Sequence, residues 1–454
     1  MTRAPWSVPR ERLLVALLAC VVRLLVVVVV EPEPVWDGRY FDAFARHLAD
    51  GDGYVVASEG DDGLLKPTAH YPVGFPAVLA VAYRLFGDRV GVAFVVQTLF
   101  GAGLVVVVHA IASQVSSRRA ACLAAVLTAF HPGLVMQAPL IMAEPLAALL
   151  YAGIIACMMQ RDAGARRYAF AGLLAGFATL VRPQTLLLAP ALLGVVLAET
   201  PANRRSLVPR ARGALVFALA FGAVVLPWSL RNARVLDGPA LVSTNGGWNL
   251  AIGTLPGATG RYRGLPAGHG CEAEVGEVHV DRCLGIKGRE AIGNDPRRML
   301  ALVPAKLSYA MDYEEFPIEA IREARPEAVP DLLRRVSWPL FMAFHQALLL
   351  GAAFVVVRHR HWKTQALAAV VAAVPMLMLA RPTSGGVAVA LAGLLLTEDD
   401  RLSRLVGATL GVFLCTHAVF FGEDRYHIVV EALLVILLAV RVHPRMADPK
   451  VVGP

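Results

Sequence analysis

The chain has 454 residues, of which 57% are apolar before glycine is counted and only 17% are charged, where a soluble domain carries about 25% charged residues. That balance excludes an ordinary soluble enzyme, a disordered chain and a disulfide-dense secreted module. The net charge of +8 does not mark a nucleic-acid binder, because the apolar residues are gathered into runs of bilayer length and the basic ones lie between them.

The first apolar run, residues 13–30, is long enough to cross a bilayer as a helix. It is followed by Glu31-Pro32-Glu33-Pro34 without a small-residue cleavage site, so it reads as a retained anchor. Further spans are expected near 90–112, 120–136, 143–160, 168–181, 184–198, 213–230, 337–357, 364–380, 385–396, 405–421 and 427–440, about 12 in all. Two long polar segments, 31–89 and 231–336, interrupt them. Within the first, residues 38–50 and 74–86 have apolar residues at helical spacing and are expected as amphipathic helices in the interface plane. The expected architecture is an all-α polytopic membrane protein in three parts. These are a transmembrane module (1–230, with its first external loop 31–89), a mixed external loop domain (231–336) and C-terminal transmembrane helices (337–454).

Charge orients this threading. With a cytoplasmic N-terminus, the short inner segments hold 20 of the 43 Lys and Arg but 7 of the 35 Asp and Glu, a net +13, and the remainder carries −5. Lys and Arg concentrated in short loops are what the positive-inside rule places in the cytoplasm. Of the six cysteines, Cys20, Cys122, Cys157 and Cys415 fall inside spans as small apolar residues. Cys271 and Cys283 lie in the second external segment, where an oxidising exterior favours a disulfide. Zinc is the rival reading, with His269 and His279 close by, but the spacing fits no finger pattern.

Several ionisable residues stand at the outer ends of spans. Asp37, in EPVWDGRYF, follows the first span, where a carboxylate can accept a proton from a hydroxyl or cap the helix that begins there. KPTAHYPVGFP, from Lys66 to Pro76, is a helix-start signal with Tyr71 suited to the interface. Arg182 in LVRPQ, Arg231 in PWSLRN and Arg425 in GEDRYH face outward on this threading. An Arg fork suits phosphate oxygens and also snorkels to headgroups without further purpose. Glu144 in LIMAEPL is an isolated acid between two spans, an intramembrane candidate or a cap. In VSTNGGWNLAIG, Asn245-Gly246-Gly247 signals a turn, with Trp248 and Asn249 able to hold a sugar. There is no Gly-Lys-Ser/Thr phosphate loop, HExxH or zinc-ribbon cysteine set. No cofactor is therefore certain, no metal ligands are assigned, and a divalent metal stays open.

Taken in order, WDGRYFDAFARHLADG, HYPVGFP, LVRP, PWSLRN with STNGGWNL, and DRYH resemble the GT-C integral-membrane glycosyltransferases, in particular the bacterial relatives of protein O-mannosyltransferases and lipid A aminoarabinose transferases. The likeness covers residues 30–255 and returns at 420–430. It implies a GT-C-type fold in the cytoplasmic membrane, with the active site on the outer face. It also implies an inverting transfer of a hexosyl or pentosyl group from a polyprenyl-phosphate carrier to a glycan, lipid or protein acceptor. Asp37 takes the place of the family's base, and Arg182, Arg231 and Arg425 that of the carrier-phosphate ligands. The polar residues of the same motifs, Arg39, Tyr40, Lys66, His70, Tyr71, Glu144, Asn245, Asn249 and Tyr426, are the substrate-site candidates. The chain departs from the aminoarabinose branch in having His70-Tyr71 before the helix-start proline and Gly38 after Asp37. Two other classes compete. A transporter or flippase of lipid-linked sugars would also want basic residues at interface depth, and a scaffold would need no Asp37.

The threading makes a direct prediction. A thiol-reactive or glycosylatable reporter placed after residue 290 will label from outside the cell, and labelling from the cytoplasmic side would refute it.

Overall fold

The computed structural model describes residues 10–57, 64–160, 164–199, 204–358 and 384–444. The span expected at 364–380 lies outside the described residues. The chain runs through α1 (Arg10–Val30), α2 (Asp37–Asp50), a hairpin of β1 (Val55–Ala57) and β2 (Leu65–Pro67), α3 (Gly74–Phe86), α4 (Val90–Val115), α5 (Arg118–Phe130), α6 (Pro132–Val135), α7 (Glu144–Met159), α8 (Gly164–Val181) and α9 (Thr185–Ala198). There follow α10 (Arg204–Val235), α11 (Gly246–Thr254), α12 (Glu277–Asn294), α13 (Pro296–Met311), α14 (Phe316–Ala324), α15 (Asp331–Arg358), α16 (Ser384–Leu396), α17 (Arg401–Val419) and α18 (Ile428–Val442). Among the described residues five helices, α1, α4, α10 (from Val208), α15 and α17, are long and apolar enough to cross a membrane; α3, α7, α9 and α16 are shorter apolar helices. The strands pair antiparallel with Val56 opposite Lys66.

Burial sorts the apolar helices into two kinds. In α18 nearly every residue from Ile428 to Leu437 is buried, on all faces, and it packs against α4, α5, α7 and α15. A helix apolar all round belongs in a core. By contrast α1 exposes Leu13, Leu14, Leu17, Leu25, Val28 and Val29, a contiguous apolar face suited to lipid. One residue of α1 breaks the rule. Arg23 is buried and donates to Ala129 O (3.0 Å), Ala19 O (3.3 Å) and Thr128 O (3.4 Å), so its charge meets the carbonyl end of α5. Gly101 of α4 makes room, since a Cβ there would stand 2.3 Å from Arg23 Nε.

Small residues set the closest helix pair. Gly172 and Gly176 of α8, four apart, let the α10 backbone approach; added Cβ atoms would meet Phe217 O at 2.4 Å and Phe221 O at 2.8 Å. Without a hydrophobic drive between helices in lipid, such contacts supply dispersion attraction that larger residues forbid.

The second long polar segment, expected as a mixed external loop, is mostly helix in the structure (α11 to α14). The Asn245-Gly246-Gly247 turn signal is the start of α11, because Asp281 of α12 accepts the Gly247 and Trp248 N–H groups (2.7 and 3.0 Å). Asp237 likewise accepts the N–H groups of Val278 and His279 at the start of α12. Two cations satisfy helix C-termini: Arg298 binds Thr254 O and Leu255 O, and Lys306 donates to Val419 O at 2.8 Å. Cys271 and Cys283 are joined in a disulfide with Cα atoms 5.9 Å apart, in a small apolar cluster with Ala251, Leu255 and Leu284.

The α8–α10 contact gives a stability prediction. Gly172→Val will lower the detergent-solubilised protein's melting temperature, at a cost of about 1–3 kcal/mol from overpacking. Gly194→Val, at a glycine with open space around its Cβ, will not. Equal effects of the two would contradict the packing described.

Candidate functional site

Asp37 was expected as a base or a helix cap. It is the first residue of α2; the cap position belongs to Trp36, and no side chain caps the helix. Its carboxylate is engaged elsewhere. Oδ1 accepts the Tyr71 hydroxyl at 2.9 Å and Oδ2 accepts Arg425 Nη1 at 2.7 Å. Trp36 itself has φ 48°, a region costing a bulky residue of order 1–3 kcal/mol. This kink turns the chain out of the Glu31–Pro34 stretch into α2, and the Trp36 ring packs on Phe316 with centroids 5.2 Å apart.

Arg425 is the centre of the arrangement. It lies in a 3-10 turn, Asp424–His427, at the head of α18. Besides Asp37 it faces Glu423 (Nε to Oε2, 2.9 Å) and Glu144 (3.8 Å). The Glu423 contact is a charge pair without hydrogen-bond alignment, as both atoms lack a hydrogen-bond partner. The guanidinium also stacks over Phe316 and Tyr426, 4.8 and 5.0 Å from their centroids. Arg182, at the end of α8, reaches Glu144 at 2.7 Å and lies 4.9 Å over the other partner of that stack, Tyr426. Glu144 opens α7 with Ala143 at the cap position; it is a counter-charge and not a cap. Three carboxylates and two guanidiniums, drawn from four segments, thus form one network. Glu423, which no sequence motif singled out, is part of it. Its adjacency to DRYH was the available signal.

Other candidates line the same region. Tyr40, half exposed, stacks on Tyr71 at 5.4 Å, and Tyr71 packs on Phe41 and edge-on to His70. His70 in turn meets Trp248 of α11, 5.8 Å between centroids. Arg39 is exposed and donates to Pro34 O at 3.1 Å, and Lys66 is an exposed residue of β2. Asn245 accepts the Ser243 hydroxyl at 2.8 Å, and Asn249 sits in the first turn of α11.

Arg231 is not part of this network. Its guanidinium donates to Thr68 O and Tyr54 O, both at 2.7 Å, and stacks on Trp228. The rest of PWSLRN works the same way: Trp228, Ser229 and Asn232 donate to Val242, Leu241 and Ala240 carbonyls. Nearby, Glu277 of α12 accepts from Thr68, Ala69 and Thr244 at 2.5–2.7 Å, tying the two external segments together. The motif is a clamp on loop backbone.

Electrostatics follow from these contacts. Burial pushes the Asp37 carboxyl up, but the charge and hydrogen bond of Arg425, with Tyr71 and Arg182, hold it below its ordinary value. Burial raises Glu423 against the pull of Arg425.

Residues 70–228 match the family model described as dolichyl-phosphate-mannose-protein mannosyltransferase. No curated protein matches the chain in sequence. Among solved structures, the oligosaccharyltransferase AglB of Archaeoglobus fulgidus, in complex with an inhibitory peptide and a dolichol-phosphate, superposes with TM-score 0.46 at 12% identity, over 96% of this chain and 50% of its own. ArnT from Cupriavidus metallidurans, bound to undecaprenyl phosphate, superposes with TM-score 0.41 at 16% identity, over 94% of this chain and 77% of its own. The chain spans about half the length of the archaeal protein. The family-model match covers HYPVGFP, Glu144 and LVRP, and the GT-C resemblance rests on it.

A carboxyl whose folded value is depressed contributes stability above its unfolded value, which is lost as pH falls through the folded one. The Asp37–Arg425 contact therefore persists through the ordinary carboxylate range. In Arg425→Ala the buried Asp37 loses its main counter-charge, and its titration will move to higher pH. Infrared titration of the carboxyl stretch, with Asp37→Asn as the subtraction, reads this; an unchanged midpoint would refute the coupling.

Proposed function

We propose that the protein is a glycosyltransferase moving a sugar from a polyprenyl-phosphate carrier to an acceptor on the outer face of the cytoplasmic membrane. The observation carrying this reading is the Asp37–Arg425 pair: a carboxylate able to take a proton touches a guanidinium able to hold a phosphate, beside a segment that matches a mannosyltransferase family. The positive-inside balance supports cytoplasmic termini and an outward-facing site. Residues 1–230 then form the catalytic module, 231–336 the external domain and 337–454 the supporting spans.

In this reading the acceptor hydroxyl gives its proton to Asp37 as its oxygen attacks the anomeric carbon. The carbon–oxygen bond to the carrier breaks, and the phosphate leaves with the electron pair. Attack opposite the leaving group inverts that carbon. Arg425 and Arg182 stabilise the charge growing on the phosphate, in a site largely shielded from water. Each guanidinium is now held by carboxylates, so the incoming phosphate exchanges one anionic partner for another. Exposed Trp36, Tyr40 and Tyr262 offer flat apolar faces for a sugar or prenyl chain. Arg231 falls outside the phosphate clamp on this account and acts on loop backbone.

Asp37→Asn separates catalysis from architecture, since the amide can accept from Arg425 through its one oxygen and donate through its nitrogen to the Tyr71 hydroxyl oxygen, but is a far poorer base. In reconstituted vesicles with a polyprenyl-phosphate sugar, the variant will remain folded and lose about 10²–10⁴ in transfer rate. The products decide between classes. A transferase releases free polyprenyl phosphate and a modified acceptor, whereas a flippase leaves its substrate chemically unchanged. Normal transfer by Asp37→Asn would overturn the assignment.

A further inference from the structure

Behind the Arg425 turn lies a second group of ionisable side chains that the transfer reaction does not use. His427, two residues after Arg425, and His345 of α15 are fully buried with their rings 4.2 Å apart. Glu314, at the end of the α13–α14 connection, is 2% exposed. One ligand-capable atom from each of Glu314, His345 and His427 lies within 4.8 Å of the others. We propose that these three residues form a binding site for one divalent transition-metal ion of the zinc class, distinct from the Asp37 network and independent of the function proposed above.

Hydrogen bonding fixes which atoms are offered. His427 Nδ1 donates to Ala310 O at 2.8 Å, which turns Nε2 toward Glu314 Oε1, also 2.8 Å away. His345 Nδ1 donates to Glu431 Oε1 at 2.7 Å, which leaves Nε2 as the bare lone pair of a neutral ring. That atom is buried and has no hydrogen-bond partner among the described residues. The second oxygen of Glu431 accepts His131 Nε2 at 2.9 Å, and His131 Nδ1 faces the Leu134 N–H. Metal-binding imidazoles characteristically give their other N–H to a carboxylate or a backbone carbonyl, which sets the tautomer and raises ligand basicity. Both histidines do so here, one in each way.

Charge balance points the same way. Glu314 and Glu431 bring two negative charges into a buried space, and an isolated buried charge is strongly unfavourable. A divalent cation neutralises both while the histidines stay neutral. A proton on His345 Nε2 in place of the ion would have no hydrogen-bond acceptor among the described residues. Asp424, next along, is taken up by the Glu315 and Phe316 N–H groups at 2.5 and 2.7 Å. Two imidazoles and a carboxylate suit zinc, whose ligand atoms at 2.0–2.2 Å from the ion sit about 3.4 Å from one another. Coordination would draw the three ligand atoms together from within 4.8 Å of one another to that spacing. Gly133 of α6 lies beside it, where an added Cβ would be in ordinary contact with Glu314 Oε2 (3.4 Å) and crowd Ile428 Cδ1 (2.9 Å). The ion would tie α15 and the α13–α14 connection to the turn that carries Arg425.

The test uses the full chain, purified in detergent in metal-free buffer, incubated with zinc(II) and desalted. Elemental mass spectrometry is expected to find close to one zinc per chain. His345→Gln and Glu314→Gln will each retain less than a tenth of that, and Glu431→Gln will bind about ten- to a hundredfold more weakly. His109→Gln, in the Glu11–His109–Cys122 group at the other end of α4, will keep full stoichiometry. Because a core variant can fail to fold, the wild-type protein is also titrated with cobalt(II), whose visible bands report a four-coordinate nitrogen–oxygen site and vanish with excess zinc. No retained zinc, undiminished zinc in His345→Gln, or no cobalt bands in the folded wild type would each overturn the proposal.

Discussion

The contact between Asp37 and Arg425 joins residues 388 positions apart, and much of the outer half of the molecule is arranged so that it can form. Neither group can be buried alone without a large desolvation cost. Pairing them requires the head of α2 and the head of α18 to meet. That in turn sets α1, α4, α7 and α8 around them, because Glu144 and Arg182 complete the charge balance from the ends of α7 and α8. Breaking one member leaves the others uncompensated, so the network acts as a unit. Its aromatic walls, Phe316, Tyr71 and Tyr426, limit water and make each charge count for more.

Most helices were legible in the sequence because lipid imposes a simple rule. Apolar runs of the right length become helices, and the interfacial pair at 38–50 and 74–86 begin and end within a residue of expectation because period-3.6 patterning is a strong signal. The external segment was less legible. Its helices α11 to α14 are polar or short, and they are held by side chains from other elements: Asp281 at the start of α11, Arg298 at its end and Asp237 at the start of α12. Such partners leave no periodic trace. The site was half legible for the same reason. Asp37, Glu144, Arg182 and Arg425 stood out as charges at span ends, but spacing does not say which charge meets which. Arg231 looked like its two companions and serves the Thr68 and Tyr54 carbonyls instead. Glu277 and Glu423 looked like ordinary acids of polar loops.

The two external segments are best understood as one body. Glu277 reaches from α12 to the first loop, Arg231 reaches from α10 to the hairpin, and His70 meets Trp248. Each contact satisfies a backbone or ring edge that would otherwise be buried unpaired. The outcome is a rigid ceiling above the span ends. A polar site at a membrane boundary needs such support, because lipid offers no directional contacts to hold side chains in register.

Arg23 carries a different implication. It is the only charged group in the apolar length of α1, and two of its three carbonyl partners lie at the end of α5, more than a hundred residues later in the chain. During synthesis α1 emerges long before those carbonyls exist. Until α5 arrives, its guanidinium must stay near water or the translocation channel, since an unaccompanied Arg at mid-bilayer costs at least about 2.5–3.5 kcal/mol. The apolar face of α1 favours early release into lipid, while its single cation delays it. The order in which the first spans leave the channel is thereby coupled to the assembly of α1, α4 and α5 as a group, with Gly101 keeping the berth open until the guanidinium can occupy it.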